Sequence, residues 1–217
     1  MAVALVLAGG DPPHGRILEG TKGADLVIAA DSGVRIARTH GLSIHAVVGD
    51  LDSVSTGDVA WAKAEGAEIV EVPRDKDFTD LELAMERAAA DDIDRIVVVG
   101  IEGGRIDHEL GNWAVLCADR APLVEVLTSG GSVVVLHGET TNRIELTGNP
   151  GDVVSILARN GEATGVTTTG LRWPLEQATL EPTSSVGVSN EIIGTEATIE
   201  LKSGTVLVAR PEQVTHP

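Results

Sequence analysis

A chain of 217 residues with 42% apolar side chains can build one large domain or two modest ones around real cores. Its charge is lopsided, with 33 Asp and Glu against 16 Lys and Arg and a formal charge of -17, which argues against a generic nucleic-acid or anionic-membrane surface. The single cysteine, Cys117, excludes an intrachain disulfide, no zinc-type spacing is present, and neither a signal peptide nor a membrane span is recognisable, so a cytoplasmic protein is expected.

From the start to about residue 129, short β-branched runs alternate with helical patterns, the signature of a parallel sheet with crossover helices. The expected strands are Val3–Leu7, Leu26–Ala30, Ala46–Gly49, Glu68–Val72, Arg95–Gly100 and Leu123–Leu127. Ser55–Glu65 reads as a helix, with Ser55 and Asp58 forming a cap and Gly66 placed to end it. A second helix opens at Thr79, with Leu81, Ala84, Met85 and Ala88 on one face. After Ser129 the helical spacing disappears. Runs at Ser132–Leu136, Val153–Leu157, Thr195–Leu201 and Thr205–Ala209 are separated by turn signals at Gly148–Gly151, Asn160-Gly161 and Ser203-Gly204. The expectation is therefore an N-terminal α/β/α domain over 1–129 and a C-terminal antiparallel β-sandwich over 130–217.

Ligands of parallel α/β sheets collect at the carboxyl ends of the strands, and here those loops are rich in aspartate. Strand two runs into Ala30-Asp31-Ser32-Gly33, strand three into Gly49-Asp50-Leu51-Asp52-Ser53, strand four into Arg74–Asp80 and strand five into Gly103–His108. Two carboxylates about 4–5 Å apart repel by roughly 4 kcal/mol at an effective dielectric near 20, so such a cluster calls for a cation. Oxygen-only ligands select magnesium or a similar hard ion, which is usually shared with the phosphates of a nucleotide. Lys76 and Arg105 then have a natural place on phosphate oxygens. Each residue also has a structural alternative: Asp31 and Asp107 as helix caps, Thr79 with Glu82 as a capping box, Asp50 and Asp52 as turn residues.

Gly15–Lys22 approaches a phosphate-binding P-loop, but its Lys follows Thr where Gly-Lys-Ser/Thr is needed, and no Gly-x-Gly-x-x-Gly follows the first strand. Gly9-Gly10 reads as a loop that something approaches closely. His108 stands beside Asp107 at a helix start, in a structural or a functional role. Cys117, with Leu110, Trp113 and Ala114 at helical spacing, is expected in the core, and Trp61 and Trp113 read as packing residues. Trp173, inside Gly170-Leu171-Arg172-Trp173-Pro174, sits where no helix can form, either packed on the surface or free to stack on a ring.

Taken in order, these motifs resemble thiamine pyrophosphokinase. Ala30–Gly33 is similar to that family's Ala-Asp-Gly-Gly, Gly49–Ser53 to its Gly-Asp-Phe-Asp-Ser, Asp75–Asp80 to its Asp-x-Asp-x-Thr-Asp and Gly103–His108 to its Gly-Gly-Arg-x-Asp-His. Gly170–Leu175 and Val188–Glu191 resemble its thiamine-binding segments, while Ser32 and Leu51 depart from the usual Gly and Phe. The resemblance implies a magnesium-dependent transfer of diphosphate from ATP to the hydroxyl of thiamine by a homodimer with sites shared between chains. It implies Asp50, Asp52 and Asp80 at the metal and, with Arg105, in catalysis, and Asp31, Ser53, Lys76, Thr79, Gly104 and Asp107 around ATP. Trp173, Ser189 and Asn190 of the partner chain would bind thiamine. Alternatives are the same reaction on another alcohol such as a hydroxymethyl-pterin, an aspartyl-phosphate phosphatase built on Asp50-Leu51-Asp52, and a non-catalytic nucleotide sensor.

Overall fold

A computed structural model describes residues 1–13, 21–89 and 92–212, so most of the near-match to a P-loop at Gly15–Lys22 lies outside the described residues. The chain divides into two compact units, Met1–Leu116 with Val124–Ser129, and Cys117–Leu123 with the chain from Gly130 onward. Among the described residues no helix is long and apolar enough to cross a membrane.

In the first unit the strands are β1 (Val3–Leu7), β2 (Leu26–Ala30), β3 (Ala46–Gly49), β4 (Glu68–Glu71), β5 (Arg95–Val99) and β6 (Leu123–Thr128). They lie in the order β4-β3-β2-β1-β5-β6, and the pairs β1–β2, β1–β5, β2–β3 and β3–β4 are parallel. The near-continuous burial of β1, β2, β3 and β5 follows from helices on both faces. Leu5, Leu7, Val27, Ala29, Val97 and Val99 share a core with Ile36 and Ala37 of α1 (Val34–His40) and Ala62 of α2 (Thr56–Ala64). On β1, β2 and β3 also packs α3 (Asp80–Ala89), whose Leu81, Ala84, Met85 and Ala88 are all buried, as their spacing requires. Just beyond the last helix, α4 (Ile106–Leu116), Cys117 is buried as expected, while its helical-spacing companion Leu110 is 65% exposed and Ile106 69%. Helical spacing identifies one apolar face without saying which surface covers it.

The second unit contains β7 (Gly131–His137), β8 (Arg143–Thr147), β9 (Val153–Thr169), β10 (Ala178–Leu180), β11 (Asn190–Glu191), β12 (Glu196–Glu200) and β13 (Ser203–Pro211). Its pairings are antiparallel, in the order β7-β13-β9-β12-β8 with β10 and β11 also on β9. One apolar core takes residues from these strands, including Leu136, Ile156, Val166, Ile199 and Val206. Asn160-Gly161, read as a separating turn, lies inside β9. Both residues have positive φ (58° and 128°), and the register with β13 shifts across them, so they form an irregularity within a long strand that pairs β13 over its earlier part and β12 at its end.

Asp58 ties α1 to α2. Its carboxylate accepts from Ser55 Oγ at 2.7 Å and from Arg38 Nη1 at 2.7 Å, and its backbone N–H donates to the Ser55 capping oxygen at 3.1 Å. The Ser55 hydroxyl first, and then Arg38, hold the Asp58 carboxyl below its ordinary value of 3.8, so its stabilisation is present above that value and lost as pH falls through the lower folded value. Asp58→Asn should cost about 1–2 kcal/mol near pH 7, with the difference from the parent disappearing in strong acid. Urea unfolding at several pH values checks this, and a cost that does not change with pH contradicts it.

Candidate functional site

The chain adds β2, β3 and β4 on one side of β1 and then crosses to place β5 on the other, which creates a switch point where open parallel sheets bind ligands. The loops after β1 and β5 meet there: Gly10 N–H donates to Gly100 O, and Asp11 N–H to Glu102 O, both at 2.7 Å. The turn after β2 presses on β1 so closely that a Cβ on Gly33 would lie 2.0 Å from Leu7 O, which makes Gly33 obligatory. Segments following β1 to β5 line a cleft of 690 Å³.

Asp31, Asp50 and Asp80 each bring a carboxylate oxygen to this cleft, and these oxygens lie within 4.8 Å of one another. Asp31 and Leu51 hold positive φ angles of 46° and 61°, strain of about 1 kcal/mol or more for a residue with a side chain, and it falls at the two turns that aim the carboxylates. Ser53 Oγ donates to Asp31 Oδ2, while Asp31 Oδ1 is buried with no hydrogen-bond partner among the described residues. Lys76 Nζ lies 3.1 Å from Asp80 and 4.0 Å from Asp50. Burial raises the Asp80 pKa, with Asp31 and Asp50 adding to the rise and Lys76 opposing it. An orphaned carboxylate oxygen among converging oxygen-only donors fits a hard divalent cation such as magnesium.

The sequence reading grouped Asp50, Asp52 and Asp80 and put Asp31 nearby; in the structure Asp31 joins Asp50 and Asp80 in the tight group. Asp52 stays on the cleft, its backbone N–H on Asp50 Oδ1 at 3.1 Å and its carboxylate 3.4 Å from Arg74. Ser53, Thr79, Gly104, Arg105, Asp107 and His108 also line the cleft. Thr79 Oγ1 accepts from Glu82 N–H at 3.2 Å, so its capping role is real. Arg105 donates to Asp107 through Nε at 3.1 Å and Nη2 at 2.5 Å, which holds the Asp107 carboxyl down to about 2. Asp11 is a cleft residue that the sequence reading missed, although it follows β1 just as the other aspartates follow their strands.

Trp173, Ser189 and Asn190 come together in the second unit. Trp173 is 55% exposed, with the Arg172 guanidinium 5.7 Å from its ring centre, and Arg172 pairs with Glu191 at 3.0 Å. Asn190 is buried and its amide grips the backbone of Trp173, accepting from N–H at 3.1 Å and donating to C=O at 2.7 Å. Ser189 has φ 57° and donates its N–H to Ser155 Oγ at 3.0 Å.

Two family models match this chain: the catalytic domain of thiamin pyrophosphokinase over residues 19–127 and the vitamin B1 binding domain of thiamin pyrophosphokinase over residues 141–206. The chain belongs to the thiamin pyrophosphokinase family. It is 26% identical to thiamine pyrophosphokinase of Bacillus subtilis over 186 residues, covering 85% of this chain and 86% of that one. With thiamine pyrophosphokinase 1 of rice it shares 28% identity over 169 residues, 75% of this chain but only 63% of the rice protein's length. The crystal structure of the Bacillus subtilis protein has the same fold, with a TM-score of 0.82 at 24% identity over 99% of this chain and 100% of that one. The Asp-bearing loops from β2 to β5 all fall within the catalytic-domain match, and Trp173 and Asn190 within the vitamin B1 match.

Asn190→Ala removes both hydrogen bonds to the Trp173 backbone and should cost about 2 kcal/mol of stability. In a Trp61→Phe/Trp113→Phe background, where Trp173 is the sole fluorophore, its emission anisotropy should fall. Unchanged anisotropy would mean that the loop is held by its other contacts.

Proposed function

We propose that this protein is a thiamine diphosphokinase, transferring the diphosphate of ATP to the hydroxyl of thiamine to give thiamine diphosphate and AMP. The observation that carries the reading is the convergence of Asp31, Asp50, Asp80 and Lys76 at the switch point of a chain whose two family matches are a catalytic and a vitamin B1 binding domain. The rice and Bacillus subtilis relatives bear the name of this activity.

Asp31, Asp50 and Asp80, with Asp52 at the margin, would hold magnesium. When bound, the ion screens charge on the diphosphate and on the departing AMP. Lys76 and Arg105 supply positive charge to phosphate oxygens, and the fork of Arg105 can grip two of them at once. Ser53, Thr79 and Gly104 complete the wall on which the nucleotide lies. The thiamine oxygen attacks the β-phosphorus in line, forming the new O–P bond as the bond to the α-phosphate oxygen breaks, and the hydroxyl proton leaves to solvent or a cleft carboxylate.

The second unit supplies the thiamine site from a partner chain. Trp173 offers an exposed aromatic face to a flat ring; Asn190 sets the loop, and Ser189 directly precedes Asn190 in sequence. A homodimer is supported by the apolar pair Ile106 and Leu110 on α4, both exposed among the described residues, and by exposed Val186, Val188 and Ile193 in the other unit. A cytoplasmic setting fits the free, buried Cys117.

The test is AMP and thiamine diphosphate formation from ATP, magnesium and thiamine. Both products should require all three reactants, and a hydroxymethyl-pterin should not replace thiamine. Asp50→Asn should lower kcat about a hundredfold or more, and Trp173→Ala should raise KM for thiamine rather than ATP. After subunit exchange, a mixture of these two variants should regain about one quarter of the wild-type sites, because half the dimers are mixed and half their sites intact. Product formation with thiamine omitted contradicts the assignment, and activity no better than the parental average contradicts the shared site.

A further inference from the structure

Lys76 stands apart among the Lys and Arg residues in and beside the cleft. Arg74 is 83% exposed and meets Asp52, and Arg105 is 73% exposed and spent on Asp107, whereas the Lys76 side chain is only 15% exposed and points at Asp80 and Asp50. Among the described residues, the ion pairs made by the Asp31, Asp50 and Asp80 group come from Lys76 alone. The lysine lies one helical turn before Asp80, on the loop that leads into α3, so rotations about its four-carbon stem can carry the ammonium away while Asp80 stays fixed at the helix start.

Resting on the reading of these carboxylates as a cation site, we propose that Lys76 is the site's built-in counter-ion and competes with the divalent cation for Asp50 and Asp80. A cation that takes these oxygens must displace the ammonium from at least one of its partners. The displaced charge is costly to leave unpaired in a partly buried cleft, and a phosphate arriving with the cation gives it a new partner. Free cation therefore binds weakly, and cation with polyphosphate binds better than either alone. By linkage the coupling is reciprocal, so a bound polyphosphate raises the affinity for the cation by the same factor. A lysine does this where an arginine would not release as readily, since its single point charge has no second donor fork to keep one carboxylate engaged.

The experiment is calorimetric titration with Mn2+ alone, no nucleotide present, on the full chain and its Lys76→Gln, Lys76→Arg and Asp50→Asn variants. Lys76→Gln removes the competitor and should bind Mn2+ about tenfold more tightly or better, while Lys76→Arg keeps the charge and should bind no more tightly than the parent. Lys76→Gln should also melt about 3 °C or more below the parent without Mn2+, because the carboxylates lose their counter-charge, and should gain more from added Mn2+. Equal Mn2+ affinity in the parent and Lys76→Gln, with binding lost in Asp50→Asn, overturns the counter-ion role and leaves the cation site standing. Binding that survives Asp50→Asn unchanged, or is absent from every protein, overturns the cation site and the inference with it.

Discussion

Repulsion among the carboxylates of Asp31, Asp50 and Asp80 is the constraint around which the first unit is arranged. Oxygens held within 4.8 Å of one another would spread apart if the backbone let them. They do not, because Asp31 and Asp50 follow β2 and β3 directly, Asp80 is the first residue of α3, and all three elements are pinned by cores on both faces of the sheet. The fold thus holds three like charges in place. A small part of that cost is met by Lys76 and by the Ser53 hydroxyl on Asp31, and the positive φ angles of Asp31 and Leu51 add strain at the same point. Stability given up in this way at one edge of a sheet is the mark of a binding site.

The two units contribute in different ways. In the first, strand ends and a helix start position charge, with Lys76 paired to Asp80 and the exposed Arg105 to Asp107. In the second, an exposed aromatic residue is held by its backbone: Asn190 fixes both peptide groups of Trp173 and leaves the ring open. Such a loop offers a pre-set flat surface at little conformational cost on binding. Substitution of Asn190 would therefore act through the loop.

Much of this was legible in the sequence because the relevant signals are local. Val-, Ile- and Ala-rich runs marked β1 to β5 to within a residue, Ser55 and Asp58 announced a helix start, and Leu81, Ala84, Met85 and Ala88 named a buried face. Aspartates after successive strands pointed to one sheet edge, since parallel strands put their carboxyl ends on the same side. What stayed hidden depends on three-dimensional placement. The choice of Asp31 over Asp52 for the tight group turns on backbone angles at single residues. Asp11 follows β1 as the other aspartates follow their strands, but the hydrogen bonds that join its loop to the distant Gly100–Glu102 segment leave no mark in the sequence. Short strands such as β10 and β11 carry too few residues for any period, and Asn160-Gly161 has the composition of a turn while acting inside a strand. Asn190, which the family resemblance places at thiamine, also bonds to a backbone 17 residues away, a contact that nothing in its neighbourhood in sequence reveals.

Crystals grown with Mn2+ and a non-hydrolysable ATP analogue, measured for the anomalous signal of the metal, test the role of the carboxylate group most directly. A peak is expected about 2.1 Å from carboxylate oxygens of the Asp31, Asp50 and Asp80 group, shared with the β- or γ-phosphate, and with Lys76 turned from Asp80 toward a phosphate oxygen. A metal seated elsewhere in the cleft with these three aspartates unligated, or a nucleotide bound away from the β1–β5 switch point, would contradict it.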